Sequence, residues 1–456
     1  MPYLQHSFEE YTNDKWKVNL LGIIKIKILS MILLILGNGF GKIMKKKKVI
    51  LNISALPIWT MGEGKGMPSI YEAQVAYIKK EWDVYYFFSH PLANKNQYYF
   101  SQKIHFFNFK VPFRIIERRF LNTISANIYW ISFTIIAFIK GLFLAFKVKP
   151  NIIYAHTPCA GLSAFLIAKY LNIPILFRGY GTSILLNKLD SMIYKIKIFN
   201  KILTLKLPYD KLVLTDDGTG YDRVVKKLGV SDEKILFLRN GINKNIYIPN
   251  FNRKKFKQVL NIEENNKILL SVSRLVRWKK VDRMIKAMPK LIEEYPNIRF
   301  LIIGDGPERK NLENLRKELK MESFIKFLGA LPHEDLKNYY NLADIFVSMY
   351  DLSNVGNPLL EAMMSGKCII TLNNGFTARL VQNNYNGIIL EYENLPKLPQ
   401  VIGELLEDEE RRNYLGANAR KFAKKHFWSW GKRMNMEIGL VEKLIIDREM
   451  EGKNCD

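Results

Sequence analysis

Met349-Tyr-Asp-Leu-Ser-Asn-Val-Gly-Asn-Pro-Leu-Leu-Glu-Ala-Met-Met-Ser-Gly-Lys367 reads, left to right, as the end of an apolar strand, a Gly/Asn/Pro loop and the start of a helix. Ile345-Phe-Val-Ser-Met-Tyr350 has the β-branched and aromatic content of a buried strand. Pro358 suits a first helical turn, and Gly356 permits a close backbone approach. The helix N-terminus then points at whatever occupies the loop, where free N–H groups favour an anion. Glu361 falls about one turn in, among Leu359, Leu360, Ala362 and Met363. A carboxylate there either meets a polar partner or complements the helix dipole.

Upstream of this stretch, strand and helix patterns alternate. Lys267-Ile-Leu-Leu-Ser-Val-Ser273 is a strand, and Arg274-Leu-Val-Arg-Trp-Lys-Lys280 leads from it into a helix with apolar positions Val281, Met284, Ile285, Met288, Leu291 and Ile292. Arg274 and Lys279 therefore stand beside a helix N-terminus. Like charges are poorly placed there unless an anion is expected, and an Arg fork with a Lys point charge suits phosphates. The alternative is a solvated basic loop in a basic protein. Ile298-Arg-Phe-Leu-Ile-Ile303 turns at Gly304-Asp-Gly-Pro-Glu308, and Phe324 to Phe327 ends at Leu328-Gly-Ala-Leu331. This repeated pattern predicts a doubly wound α/β domain.

The same alternation runs through the first half. Val49 to Leu56, Asp83 to Phe88, Ile104 to Phe109, Ile152 to Ala155, Ile173 to Phe177, Leu212 to Thr215 and Ile235 to Leu238 read as strands. Gly62-Glu-Gly-Lys-Gly66 follows the first of them but matches neither a dinucleotide fingerprint nor a P-loop, so Gly64 and Gly66 form a weak phosphate or sugar cradle at most. His156-Thr-Pro-Cys-Ala-Gly161 and Arg178-Gly-Tyr-Gly-Thr182 lie at strand carboxyl ends, where open parallel sheets place ligands. A lone His at such an end is equally often a satisfied loop residue. The segment from Tyr247 to Lys257 reads as a polar, basic linker.

The chain has 456 residues, 48% of them hydrophobic and 25% charged, so two globular domains are expected. Lys+Arg 69 against Asp+Glu 43 gives +26, which argues for a polyanionic neighbour. No basic motif interleaved with aromatics and no nucleic-acid module is present, so nucleic acid is not the expected partner. Cys159, Cys368 and Cys455 show no paired spacing, which suits a reducing cytosol. No metal-ligand cluster is visible. Leu20 to Leu36 is apolar but interrupted by Lys25 and Lys27, a signal-peptide-like, interfacial or incidental segment rather than a span. Asn127 to Phe146 is long enough to span a membrane. The strand that follows it directly, the Ser and Thr within it and the basic residues flanking it favour a helix lying shallowly on an anionic bilayer or partly buried in its own domain.

From about Met44 to about Ile445 the chain resembles the GT-B glycosyltransferases of family four, retaining enzymes that use nucleotide sugars. The likeness is strongest from Ser271 to Leu390. Ser273-Arg-Leu-Val-Arg-Trp-Lys-Lys280 resembles the family's Arg-x-x-x-x-Lys diphosphate clamp. Ile303 to Glu308, Phe327 to Ala330, Tyr340 to Val347 and Leu360 to Lys367 follow in the family's order, as do Tyr385 to Ile389 and Phe427-Trp-Ser-Trp430.

The resemblance implies two Rossmann-like domains facing each other across a cleft: an extension at 1–43, an acceptor-side domain at 44–245, a nucleotide-sugar domain at 246–430 and a helix crossing back at 431–456. It implies that Arg274 and Lys279 hold the donor diphosphate and that Glu361 accepts from ribose hydroxyls. The base would meet main-chain groups near Gly329 to Leu331. Gly304, Gly306, Ser353, Asn354, Gly356, Asn357 and Tyr180 complete the expected substrate-binding set, with Gly64 and Gly66. His156, with Arg274 and Lys279, is the expected catalytic group. The implied partners are a nucleotide-sugar donor, a saccharide or lipid-linked acceptor and an anionic membrane surface on its cytoplasmic side, with no metal and no cofactor beyond the donor. At three positions the chain departs from the family's pattern: Ser353 stands where a second glutamate is usual, Tyr180 where a histidine is, and Arg379 close to where an acidic residue is. Those departures leave open a protein that binds nucleotide and sugar but is impaired in transfer.

Overall fold

The computed structural model describes residues 47–55, 68–89, 104–112 and 121–453. The Gly62 to Gly66 loop, Cys455 and the apolar segment from Leu20 to Leu36 lie outside the described residues.

Two parallel sheets organise the chain. The first holds β1 (Val49–Ser54), β2 (Asp83–Phe88), β3 (Ile104–Asn108), β4 (Ile152–His156), β5 (Ile175–Gly179), β6 (Lys211–Thr215) and β7 (Ile235–Leu238) in the order β3-β2-β1-β4-β5-β6-β7. The second holds β8 (Lys267–Val272), β9 (Ile298–Ile303), β10 (Ile325–Gly329), β11 (Ile345–Ser348), β12 (Cys368–Leu372) and β13 (Ile388–Leu390) in the order β10-β9-β8-β11-β12-β13. Central strands such as β1 and β4 are buried along their length and mostly apolar, as is β8 after Lys267, because helices cover both faces. In each sheet the winding reverses between two neighbouring strands, β1 and β4 in the first and β8 and β11 in the second. A crevice opens at the carboxyl ends of such a pair. Ser54 pairs with His156, and His156 with Arg178, at the first of these edges.

Helices Leu121–Val148 and Thr157–Leu171 pack side by side on one face of the first sheet, with Phe133, Ala137 and Ile167 against Leu51, Ile53 and Phe177. The first is longer than the expected Asn127 to Phe146 and carries two apolar stripes. Tyr129, Trp130, Phe133, Ala137, Leu144 and Ala145 point inward, while Ile124, Ile128, Ile131, Ile135, Ile139 and Phe143 are between 43% and 55% exposed. It is long and apolar enough to cross a membrane, yet its inward stripe is buried in its own domain.

Helix Trp430–Lys453 closes the opposite face. Met434, Ile438, Val441 and Ile445 pack with Tyr77 of helix Pro68–Lys79 and with Ile50, Val84 and Tyr154 of the sheet. Beneath them lies a buried ion cluster. Glu437 accepts from Tyr154 Oη at 2.7 Å and from Arg178 Nη1 at 3.2 Å, and also pairs with Arg433 one turn earlier. All three charged residues are buried. The segment expected as a linker holds the short helix Arg253–Val259, because Asn252 caps it by accepting from Lys255 N.

Candidate active site

At the edge of the second sheet, Ser273 continues β8 by donating to Ile303 O at 2.9 Å. Gly304 has φ +132, and a Cβ on it would lie 1.8 Å from Ser273 O. Only glycine permits this backbone contact. Leu275 N donates to Asp305 O at 2.9 Å and Glu308 N to Leu275 O at 3.0 Å, so the loops after β8 and β9 form one rigid piece that carries the exposed Arg274. Gly304 N donates to Gly329 O at 2.8 Å, which brings Gly306, Gly329 and the half-buried Leu331 to the same edge.

The turn Arg277–Lys279 ends at Lys280, whose left-handed φ of 47° starts helix Val281–Glu294. Lys279 Nζ sits 4.1 Å from the ring centre of Trp278 and 3.8 Å from that of Tyr350. Tyr350 Oη donates to Val272 O at 3.1 Å, fixing that ring under the ammonium. Burial pushes the Lys279 ammonium down to about 7, opposed by Asp217 of the first domain.

In the loop after β11, Asn354 is a brace. Its Oδ1 accepts from Tyr350 N at 3.1 Å, and its Nδ2 donates to Leu372 O at 3.1 Å and to Asn374 Oδ1 at 2.8 Å. Gly356 caps helix Asn357–Met364 in extended backbone that any residue adopts, and a Cβ on it would meet only Pro358 Cδ at 3.7 Å. The close approach expected there is not made by protein groups. Asn357 Oδ1 accepts from Asn240 Nδ2 of the first domain at 3.0 Å. Glu361 is buried and polar-partnered, the first of the two readings open to it. His333 Nε2 donates to its Oε1 at 2.8 Å and Tyr340 Oη to its Oε2 at 2.9 Å. The hydrogen bond to Glu361 raises the His333 pKa, burial opposes it, and Glu361 and Glu72 add attraction.

At the first sheet's edge, His156 is fully buried. Nε2 donates to Asn52 Oδ1 at 2.8 Å and Nδ1 accepts from Tyr180 Oη at 2.6 Å, the tautomer that an amide-oxygen partner demands. Burial, with Arg178 adding repulsion, pushes its pKa down to about 3, so the ring is neutral. Both nitrogens are engaged within the protein, as in the satisfied-residue reading left open above. Gly64 and Gly66 lie outside the described residues.

The two edges meet directly. Ser353 Oγ donates to Asp217 O at 2.7 Å and accepts from Val355 N at 3.0 Å. Arg223 of the first domain and Arg379 of the second lie over the ring of Phe376, at 4.5 Å and 4.0 Å. The structure thus brings Arg274, Lys279, Gly304, Gly306, Gly329, Leu331, Ser353, Asn354, Gly356, Asn357 and Glu361 to one edge of the second sheet, and His156 and Tyr180 to the facing edge of the first. Sequence reasoning missed His333, Tyr340, Trp278 and Asp217. Trp278 and Tyr340 lie inside motifs quoted above, and Asp217 has its place in Asp216-Asp-Gly-Thr-Gly220 just after a strand.

Residues 252–422 match the model of the family described as glycosyl transferases group 1. An uncharacterized glycosyltransferase of Methanocaldococcus jannaschii is 27% identical over 244 residues, 53% of this chain and 61% of that protein. The GDP-mannose-dependent monoacylated alpha-(1-6)-phosphatidylinositol monomannoside mannosyltransferase of Corynebacterium glutamicum is 31% identical over 181 residues, 38% of this chain and 46% of that one. The match spans less than two thirds of either relative. Among solved structures, the Anabaena protein HepE in complex with UDP and glucose superposes with a TM-score of 0.64 at 17% identity, covering 87% of this chain and 99% of that chain. The fold is that of the GT-B glycosyltransferases, and the stretch that matches the family model holds the second sheet with its helices.

Proposed function

We propose that this chain, a GT-B protein with a glycosyl transferases group 1 domain, transfers a sugar from a nucleoside diphosphate to an acceptor with retention of configuration. The observation that carries the reading is the second winding reversal. Arg274 and Lys279 leave the carboxyl end of β8, and helix Asn357–Met364 starts just beyond β11, the strand paired with β8. A departing diphosphate at that crevice gains charge as its bond to the sugar breaks. Two cations and a helix N-terminus aimed there stabilise that charge more than the ground state. The acceptor oxygen then bonds to the anomeric carbon on the face the diphosphate leaves, and its proton passes to a diphosphate oxygen. The scheme uses no metal ion and no covalent nucleophile.

UDP in the Anabaena structure and GDP-mannose in the corynebacterial relative's name support a nucleotide-sugar donor without choosing the base. The test is a melting-temperature panel of nucleoside diphosphates and their sugars. At a concentration one hundred times Kd, a bound ligand adds about 2.7 kcal/mol to the folded state. If no nucleotide raises the melting temperature, the donor site is refuted. A second reading, a nucleotide- and sugar-binding protein impaired in transfer, is favoured by Ser353, whose hydroxyl is engaged within the protein. Both readings predict nucleotide binding, but only the first predicts slow release of nucleoside diphosphate from a nucleotide sugar.

The acceptor is a saccharide or lipid-linked saccharide reached at the cytoplasmic face of an anionic membrane, in the synthesis of a cell-surface polysaccharide or glycolipid. The lipid-based acceptor in the corynebacterial relative's name supports this. So does the exposed stripe from Ile124 to Phe143. Met192, Ile193, Ile196 and Phe199 are also exposed, with Lys195 and Lys197 among them. They lie on helices Met192–Lys197 and Phe199–Leu205, the second of which packs on Thr157–Leu171. A broad apolar flank edged by lysines suits insertion at headgroup depth. Ile131→Glu with Ile135→Glu is expected to lower co-sedimentation with anionic liposomes at least fivefold and leave nucleotide binding unchanged. Undiminished co-sedimentation would remove this flank as the contact.

A further inference from the structure

The loop Asp216 to Gly220, after β6, is where the first domain touches the donor loop. A Cβ on Gly218, φ +79, would lie 2.2 Å from Ser353 Oγ and 3.0 Å from Val355 Cβ, so the chain is seated backbone to side chain there. Asp217 leaves this contact with its carboxylate turned aside. Its Oδ1 accepts from Thr219 N at 3.1 Å and from Thr219 Oγ1 at 2.6 Å. Its Oδ2 lies against Gly181, where a Cβ would stand 2.1 Å away. Among the described residues, no other residue's donor reaches Oδ2.

The neighbouring carboxylates are committed. Asp216 pairs with Arg239 at 2.9 Å, Asp351 with Arg283 at 2.5 Å, and Glu361 with His333 and Tyr340. Among the described residues, Asp217 has no such side-chain cation in contact. Lys279, the diphosphate-side cation of the other domain, is near enough to interact with it electrostatically. A half-buried carboxylate with one oxygen open, next to the diphosphate site and between the two domains, meets whatever is attached to that diphosphate.

We propose that Asp217 is a substrate-binding residue, its Oδ2 accepting hydrogen bonds from hydroxyls of the sugar carried by the donor diphosphate. The inference rests on the nucleotide-sugar reading above. Hydroxyl donors suit the site because a partly desolvated carboxylate with a vacant oxygen gains most from short O–H···O⁻ bonds. Burial pushes its carboxyl up to about 6, with the Thr219 hydrogen bonds opposing, as expected of a carboxylate short of donors. It also puts a negative group beside the position where this chain carries Ser353.

The experiment compares the full chain with Asp217→Asn and Asp217→Ala, using UDP, UDP-glucose, GDP and GDP-mannose in calorimetry and nucleotide-release assays. Asn is isosteric and keeps an oxygen for Thr219, so folding is preserved and is checked by circular dichroism. The expected result is unchanged affinity for the nucleoside diphosphate and a loss of about ten- to a hundredfold in affinity for its sugar. In the parent, kcat/KM for release falls as pH drops through about 6, and the Asn variant loses that limb. Sugar affinity within threefold of the parent in both variants overturns the proposal. So does an equal loss for diphosphate and sugar, which assigns Asp217 to supporting Lys279. If the parent binds no nucleotide at all, the donor reading itself has failed.

Discussion

Glu437→Ala lowers the free energy of unfolding by about 3–5 kcal/mol, the range for removing one partner of a buried ion pair. The carboxylate balances two guanidiniums, Arg433 and Arg178, and accepts the Tyr154 hydroxyl, all inside the core that helix Trp430–Lys453 forms with the first sheet. Alanine leaves those buried cations without the counter-charge they share. Gln at 437 would restore volume but not charge, so Glu437→Gln is expected to cost nearly as much. Burial alone would raise this carboxyl, yet Arg433 and Arg178 outweigh it and hold the pKa down to about 2. A depressed carboxyl contributes stability that is complete above its ordinary value of 4.5 and is lost as pH falls towards 2. Urea denaturation across pH 2–6 reads both effects. A loss under 1 kcal/mol, or a pH dependence that survives in the variant, would show that the cluster is not what holds the helix.

Lys279→Ala is expected to reduce sugar transfer, or donor hydrolysis in its absence, by about 10²–10³-fold, the scale for losing one preorganised charge at a developing anion. The same residue makes binding depend on pH in a calculable direction. Free Lys279 titrates near 7 because burial between Trp278 and Tyr350 disfavours the ammonium. A bound diphosphate restores the charge. Between pH 7 and the ordinary lysine range, binding therefore takes up a proton, and affinity falls by up to tenfold per pH unit. Calorimetry of UDP or GDP in buffers of different ionisation enthalpy measures that proton directly. The alanine variant should bind without it. Transfer within tenfold of the parent, or persistent proton uptake, would remove Lys279 from the diphosphate site.

The doubly wound fold was legible because its strands are buried on both faces and so appear as unbroken apolar runs. Ile268-Leu-Leu-Ser-Val272 and Ile298-Arg-Phe-Leu-Ile-Ile303 carry that signal plainly. Cys368-Ile-Ile-Thr-Leu372 carries it too, directly after the Gly366-Lys367 turn. β13, with three residues, is too short for periodicity to register. At the site, anything decided by chain order was visible: Arg274 and Lys279 follow a strand, and Glu361 sits about one turn into a helix. What depended on tertiary closure was not. His333 reaches Glu361 from a loop 28 positions away, and Asp217 meets Ser353 across 136 positions. The sequence showed only that Ser353 is not a glutamate. The contact with Asp217 O shows what a short hydroxyl does there: it joins the two domains.

The helix Trp430–Lys453 also imposes an order on synthesis. The first domain emerges from the ribosome long before residue 437, with Arg178 already placed in β5 and no carboxylate to neutralise it. The second domain, by contrast, has its whole sheet from Lys267 to Leu390 available earlier than that helix. The half made first is therefore the half completed last: until the helix docks, helix Pro68–Lys79 is the part of that cluster already in place over Ile50, Val84 and Tyr154.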